Sequence, residues 1–360
     1  MSGNDMATDV LRRLTEKGMF TLPSAEGDLT GHAERLLGEL ARKRPQDVLD
    51  AFVSDMAVGM LPPITNSLPE LGKDGAIKVR QAIDWRINAE VSKAPPYEAV
   101  VSTNLVTFIA SMISTLHSGI GINLVDDHGR PESPPLDARP VRVVARDMKR
   151  LLDGFIAEQQ VEVLDADAEG ARYMIHFRLL HCALSWALGH ELGHIVVTES
   201  RRRRIDAPFQ PLATALLEGH FAQLLNDRRF KDALGPLNEE ARLRVYDRWL
   251  TEINADIIGA SLACGYQKDR GPSRGIEGVV GFTMFAIHLG LLSQYFLAAY
   301  MNLLNSRVAL ASRTHPPMDF RMHCVLMWMY KDKMKEATEG PVAYGQQVFT
   351  EVLRQAGAAV

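Results

Sequence analysis

The sequence is poor in cysteine and carries no excess of basic charge, and both shortages narrow the range of possible functions. Its three cysteines, Cys182, Cys264 and Cys324, are widely spaced and form no CxxC pair. A thiolate zinc site and a disulfide framework are therefore not indicated, and we expect buried free thiols in a reducing compartment. The 40 Lys and Arg residues against 44 Asp and Glu residues give a net charge of -4, which argues against a nucleic-acid partner.

The sequence also lacks an export signal and a clear set of membrane spans. Its N-terminus contains no apolar stretch of the kind that a secretory signal carries, which predicts a cytoplasmic protein. Two uncharged stretches, 99–125 and 278–306, are long enough for a membrane helix. Polar residues inside them, such as His117 and His288, favour buried core helices instead. Association with the inner membrane through residues 278–306 is the alternative.

The expected fold is mostly helical with a short sheet, of the α+β class, and has three segments. With 360 residues, 46% of them apolar and 23% charged, the chain is ordinary for a soluble globular protein and long enough for two domains. Residues 1–135 are expected to form a helical N-terminal region of unknown role, with a Pro-rich, charged linker at 126–140. Residues 140–336 then form the second domain, and residues 337–360 a helical C-terminal tail.

Hydrophobic periodicity and prolines predict the individual elements. The first hundred residues are typical of amphipathic helices that are broken at Pro62-Pro63 and Pro95-Pro96. Short strands are expected at 140–147 and 161–167. Helices are expected after them, over residues 171–197, 239–264 and 278–306. A further helix is expected to begin after Pro316-Pro317 and to continue to about residue 336.

The strongest motif is His190-Glu191-Leu192-Gly193-His194, which lies near the end of a strongly apolar helical stretch. Residues at positions i and i+4 of a helix lie on one face, one turn apart, so both imidazoles can reach a single tetrahedral zinc ion. Glu191 lies one step round the helix, where it can take a proton from a metal-activated water without ligating the metal. The alternative is a helix with two hydrogen-bonded core histidines and a surface glutamate.

A catalytic zinc ion needs a third protein ligand. The third histidine of the metzincin pattern would stand at position 200, which is a serine, and this excludes that class. Glu252 and Asp256 lie at i and i+4 of a later predicted helix. Gly259 and Ala263 continue their face with small residues, which would let this helix approach the HExxH helix closely. We expect Glu252 to be the third ligand and Asp256 to accept the other ring N–H of a ligating histidine.

Two alternatives to this third ligand remain open at the level of the sequence. Glu252 and Asp256 could form a solvated acidic face on an amphipathic helix. His220, which follows Glu218 and Gly219 in a helix-like stretch, is a rival third ligand.

Three short motifs together resemble the gluzincin metallopeptidases of the M48 type, which include the membrane-bound heat-shock protease and the prenyl-protein (CaaX) protease. The motifs are HELGH at 190–194, ExxAD at 252–256, and Thr-His-Pro-Pro at 314–317 followed by Arg321. The resemblance covers roughly residues 171–334, and the first 135 residues resemble no named family. It implies a zincin-like domain, with a short sheet beside the HExxH helix, in which His190, His194 and Glu252 bind Zn²⁺.

The resemblance also implies roles around the metal. Glu191 would be the general base and Asp256 would orient a ligating histidine. His315 and Arg321 would lie near the cleft, where they polarise the scissile carbonyl or its oxyanion.

The expected function is that of a zinc-dependent endopeptidase that acts on a protein or peptide substrate through a metal-activated water. One alternative is a regulated defence or toxin protease that cleaves a specific host protein, with the N-terminal region as sensor or autoinhibitor. The other is a zinc-stabilised scaffold without turnover. Intact Glu191 disfavours the scaffold, because structure alone needs no base at that position. The sequence specifies neither the substrate nor the oligomeric state.

Overall fold

A computed structural model describes most of the chain. The described residues are 19–23, 45–73, 76–82, 89–125, 137–158, 171–227, 234–270, 276–304, 313–329 and 335–357. Their helices are α1 (Pro45–Ser67), α2 (Thr103–Ser118), α3 (Val141–Glu158), α4 (Ala171–Arg203), α5 (Gln210–Asn226), α6 (Glu239–Arg270), α7 (Ile276–Leu304), α8 (Met318–Met329) and α9 (Lys335–Gln355). Their strands are β1 (Met19–Pro23), β2 (Ile77–Ala82), β3 (Ala89–Val91), β4 (Tyr97–Ser102) and β5 (Gly121–Val125). The expected mostly helical fold with a small sheet is thereby confirmed.

The strands form two small sheets. β1 pairs in parallel with β5. The other sheet has the order β2-β4-β3, in which β2 is parallel to β4 and β3 is antiparallel to it. β3 and β4 pack against α4, so this three-stranded sheet lies beside the helix that carries the HExxH motif.

Helix α4 lies at the centre of the fold because it is apolar on nearly every side, and such a helix must be covered all round. It packs against α6, α7, α2 and α1 as well as the sheet. One hydrophobic core joins Met60 of α1, Phe108 of α2, Trp186 of α4 and Phe285 of α7. Segments on both sides of the expected linker near residue 135 therefore share this core.

A smaller core forms on the other side of α6 and positions α8. It is centred on the fully buried Trp249 and includes Leu217 of α5, Ile253 of α6 and Phe320 of α8. Through Phe320, which precedes Arg321 in the chain, this packing holds α8 against α6. The neighbouring residues of α6 carry the carboxylates that the sequence singles out.

Two predictions about secondary structure are wrong. Residues 141–158 form helix α3 instead of a strand at 140–147, because the buried residues Val144, Met148 and Leu151 recur at helical spacing. The alternation at the start of this segment, Val-Arg-Val, extends over too few residues to specify a strand. The strand expected at 161–167 lies outside the described residues.

The second error concerns the first hundred residues, which were expected to be helical. Residues 77–102 hold the three-stranded sheet, and in β4 the buried side chains of Tyr97, Ala99 and Val101 alternate with more exposed ones, as in a strand with one covered face. The expected break at Pro62-Pro63 is also absent, since both prolines lie within α1. The helices expected from residues 171, 239, 278 and 318 are present.

The uncharged stretch 278–306 corresponds to α7. Its segment Thr283–Met301 is long and apolar enough to cross a membrane, but 67% of that segment is buried within the protein. Such burial is what a core helix of a globular protein shows.

Candidate metal centre

The site begins with a close crossing of α4 and α6. A β-carbon on Gly189 would lie 2.8 Å from the carbonyl oxygen of Gly259, and one on Gly193 would lie 2.8 Å from that of Ala255. Small residues four apart on both helices thus bring the two backbones together, as in other tight helix crossings. This crossing presents residue 190 of α4 to residues 252 and 256 of α6.

Three side chains converge at this crossing. The Nε2 atoms of His190 and His194 lie 3.1 Å apart. Glu252 places Oε2 3.7 Å from the His190 nitrogen and Oε1 3.6 Å from the His194 nitrogen. One ligand atom from each residue lies within 4.8 Å of the others, so the group can hold a metal ion. Tetrahedral zinc, with bonds of about 2.0–2.2 Å, separates its ligand atoms by about 3.3–3.6 Å.

The hydrogen bonding of these atoms fits a shared cation. Nδ1 of His190 lies 2.8 Å from Oδ1 of Asp256, and because a carboxylate only accepts, this contact favours a proton on that ring nitrogen. Nε2 of His190 is then the nitrogen that faces His194. Oε2 of Glu252 is buried and has no hydrogen-bond partner among the described residues, a costly arrangement that a metal ion would relieve.

The two carboxylates lie on different edges of the His190 ring. Asp256 lies at Nδ1, whereas Glu252 lies on the side of Nε2, where the ligand atoms meet. Asp256 is fully buried, and Arg321 of α8 donates to both of its oxygens, at 2.7 Å each. Although burial opposes it, this guanidinium and His190 hold the pKa of Asp256 well below its usual range. Asp256 is therefore an anionic acceptor for the ring of His190.

Glu191, which follows His190 on α4, is 7% exposed. Burial raises the pKa of its carboxyl group above the ordinary value, with His190 opposing the shift and Glu252 adding to it. A carboxylate whose pKa is raised accepts a proton more readily at neutral pH, as a general base must.

The open side of the group is marked by His194 and His315. The side chain of His194 is 20% exposed, and burial together with the neighbouring His190 lowers the pKa of His194 to about 3, which keeps its imidazole neutral. His315 lies in the loop before α8, with its side chain 58% exposed and its Nε2 3.7 Å from Oε1 of Glu252. The motif around His315 is therefore brought to the mouth of the site.

The rival ligand His220 lies elsewhere. On α5 its ring packs against Phe320 and His323, and its Nδ1 lies 2.9 Å from the carbonyl oxygen of Leu216. It does not belong to the group of His190, His194 and Glu252. Among the described residues, Glu252 thus occupies the position of a third ligand.

Sequence reasoning missed the role of the HExxH helix in docking the sheet. Tyr97 of β4 donates a hydrogen bond from its hydroxyl to Oε1 of Glu199 in the last turns of α4, and Arg202 donates to the same oxygen at 2.9 Å. It also missed the packing role of Gly189 and Gly193. Their spacing of four residues is the signal on α4, whereas the close approach predicted from Gly259 on α6 is confirmed.

The chain was compared with family models, curated proteins and solved structures. No family model matches the chain, and neither a curated protein nor a solved structure matches it.

Proposed function

We propose that the protein is a zinc-dependent endopeptidase. The observation that carries this proposal is the convergence of His190, His194 and Glu252 at the crossing of α4 and α6, with Glu191 in electrostatic contact with His190 and Glu252. Two imidazoles and one carboxylate are a ligand set of catalytic zinc sites, which keep a further position open. The open side near His315 supports such a position.

The chemistry follows from where the side chains lie. Zinc bound there would supply a Lewis acid that activates a water molecule for attack on a peptide carbonyl. Glu191 accepts the proton of the attacking water, and its raised pKa suits that step. His315, at the mouth of the site, stabilises the oxyanion that develops on the carbonyl oxygen.

The sheet beside α4 offers a place for an extended substrate. Among the described strands, β3 lies at one edge of the sheet in the order β2-β4-β3. Because β3 packs against α4, a peptide that adds to this edge would pass along the helix that carries His190 and Glu191. Such strand addition would bind the peptide through main-chain hydrogen bonds, with little dependence on sequence.

Metal analysis combined with one conservative substitution tests the proposal. Wild-type protein is expected to bind about one zinc per chain. Glu191→Gln should keep the zinc and lose proteolysis, because it removes the base while leaving the ligands in place.

Proteolysis is measured by comparing new protein N-termini in cells that express wild type or Glu191→Gln. A protein that binds no zinc after reconstitution contradicts the metal site. A protein that binds zinc but gives identical N-termini in the two cell lines is a zinc-stabilised scaffold instead.

A further inference from the structure

Arg321 is the only arginine or lysine among the residues that the structure describes as buried. Its guanidinium lies against Asp256, with Nε 2.7 Å from Oδ2 and Nη2 2.7 Å from Oδ1. Two parallel N–H···O contacts of this kind set both the position and the plane of a carboxylate. The orientation of the Asp256 carboxylate is therefore determined by a residue of α8.

The same oxygen of Asp256 serves two partners. Oδ1 accepts from Nη2 of Arg321 and also lies 2.8 Å from Nδ1 of His190. A chain of contacts thus runs from α8 through α6 to the imidazole on α4. Any rotation of the Asp256 carboxylate would move the acceptor that holds the His190 ring.

The alternative is that Arg321 faces the substrate, as the resemblance to the M48 type implies. The resemblance gives His315 and Arg321 as the side chains that would contact the substrate carbonyl, and their exposure disfavours this role for Arg321. The Arg321 side chain is 7% exposed, whereas that of His315 is 58% exposed. Beyond Asp256, the guanidinium approaches Glu252, with Nη2 3.9 Å from Oε2. The guanidinium of Arg321 thus lies beside both carboxylates, in the buried part of the site.

We propose that Arg321 is a positioning residue for the metal centre and that it acts on His190 through Asp256. A lysine cannot replace it fully, because an ammonium group is a single point of charge and lacks the planar fork. The inference rests on the proposed zinc site, and its test measures metal affinity rather than activity.

The experiment measures the affinity of the full chain for Zn²⁺ by competition with a chromophoric chelator. Arg321→Lys should weaken zinc binding about 10–100-fold, the usual effect of losing a partner that orients a ligand. Asp256→Asn should weaken it in the same range. The double variant Arg321→Met/Asp256→Asn should bind zinc no more weakly than Asp256→Asn alone, because a residue that acts through Asp256 has no further effect once that carboxylate is gone.

The double variant also guards against misfolding, since it removes both buried charges together and leaves neither unpaired. Wild-type zinc affinity in Arg321→Lys would overturn the proposal. A double variant that binds zinc clearly more weakly than Asp256→Asn alone would also overturn it. A loss of kcat in Arg321→Lys with unchanged zinc affinity would instead place Arg321 on the substrate. A wild-type chain that binds no zinc would refute the proposed function, which is a different outcome.

Discussion

Gly259 of α6 faces His190 of α4 so closely that a β-carbon on the glycine would lie 2.6 Å from the backbone nitrogen of the histidine. No side-chain rotation relieves such a contact, because the atom that is approached belongs to the backbone. The distance between the two helices at this point sets how far the carboxylates of α6 lie from the imidazoles of α4.

Gly259→Ala is expected to push the helices apart and to weaken the metal centre. Overpacking of this kind costs about 1–3 kcal/mol of stability, and the shift separates Glu252 from the histidines. The measurements are the thermal midpoint and the zinc affinity, both of which should fall. Gly265→Ala on the same helix is the matched control, since a β-carbon there meets nothing within 4 Å. An unchanged zinc affinity in Gly259→Ala would contradict the dependence on this crossing.

Substitution of the two carboxylates of α6 should separate a ligand from its supporting acceptor. Glu252→Ala leaves only two histidines and should release most of the zinc at micromolar metal. Asp256→Asn replaces the anionic acceptor at Nδ1 of His190 with a neutral amide and should still hold zinc when zinc is abundant, with affinity or activity reduced about 10–100-fold. Zinc bound per chain, measured after dialysis against defined metal concentrations, distinguishes them. The roles are reversed if Asp256→Ala empties the site while Glu252→Ala stays loaded.

The contact between Tyr97 and Glu199 predicts a loss of stability at high pH. Burial and Glu199 raise the pKa of Tyr97 to about 12 from the ordinary 10.0. A raised pKa means that the neutral phenol stabilises the fold fully below pH 10 and that this contribution is lost as pH rises from 10 to 12.

The comparison with Tyr97→Phe isolates this contribution. Between pH 8 and pH 11 the free energy of unfolding in urea should fall by about 1 kcal/mol more for wild type than for the variant. Equal losses in the two proteins would show that ionisation of Tyr97 does not oppose folding.

We predict that the protein is recovered in the soluble fraction without detergent. The apolar helix α7 is largely buried, and His288 within it is 4% exposed. Cell fractionation followed by carbonate extraction measures this. Complete partition into a carbonate-resistant membrane fraction would mean that the segment 283–301 spans a bilayer.

The local geometry of the site could be predicted from the sequence. His190 and His194 share a face because residues four apart lie one turn apart in any α-helix, whatever packs around it. The same holds for Glu252 and Asp256, and for the small residues that follow them. The periodicity that predicts α4, α6, α7 and α8 is likewise a property of short windows of the chain.

The tertiary structure decided which of these faces meet and in what order. The sequence pattern of α6 does not specify that Glu252 lies at Nε2 of His190 while Asp256 lies at Nδ1, because this depends on the distance and rotation of two helices at a glycine crossing. The pairing of Arg321 with Asp256 joins residues 65 positions apart and depends on the packing of α8 around Trp249. Contacts of such long range come from the fit of whole elements, which no local pattern encodes.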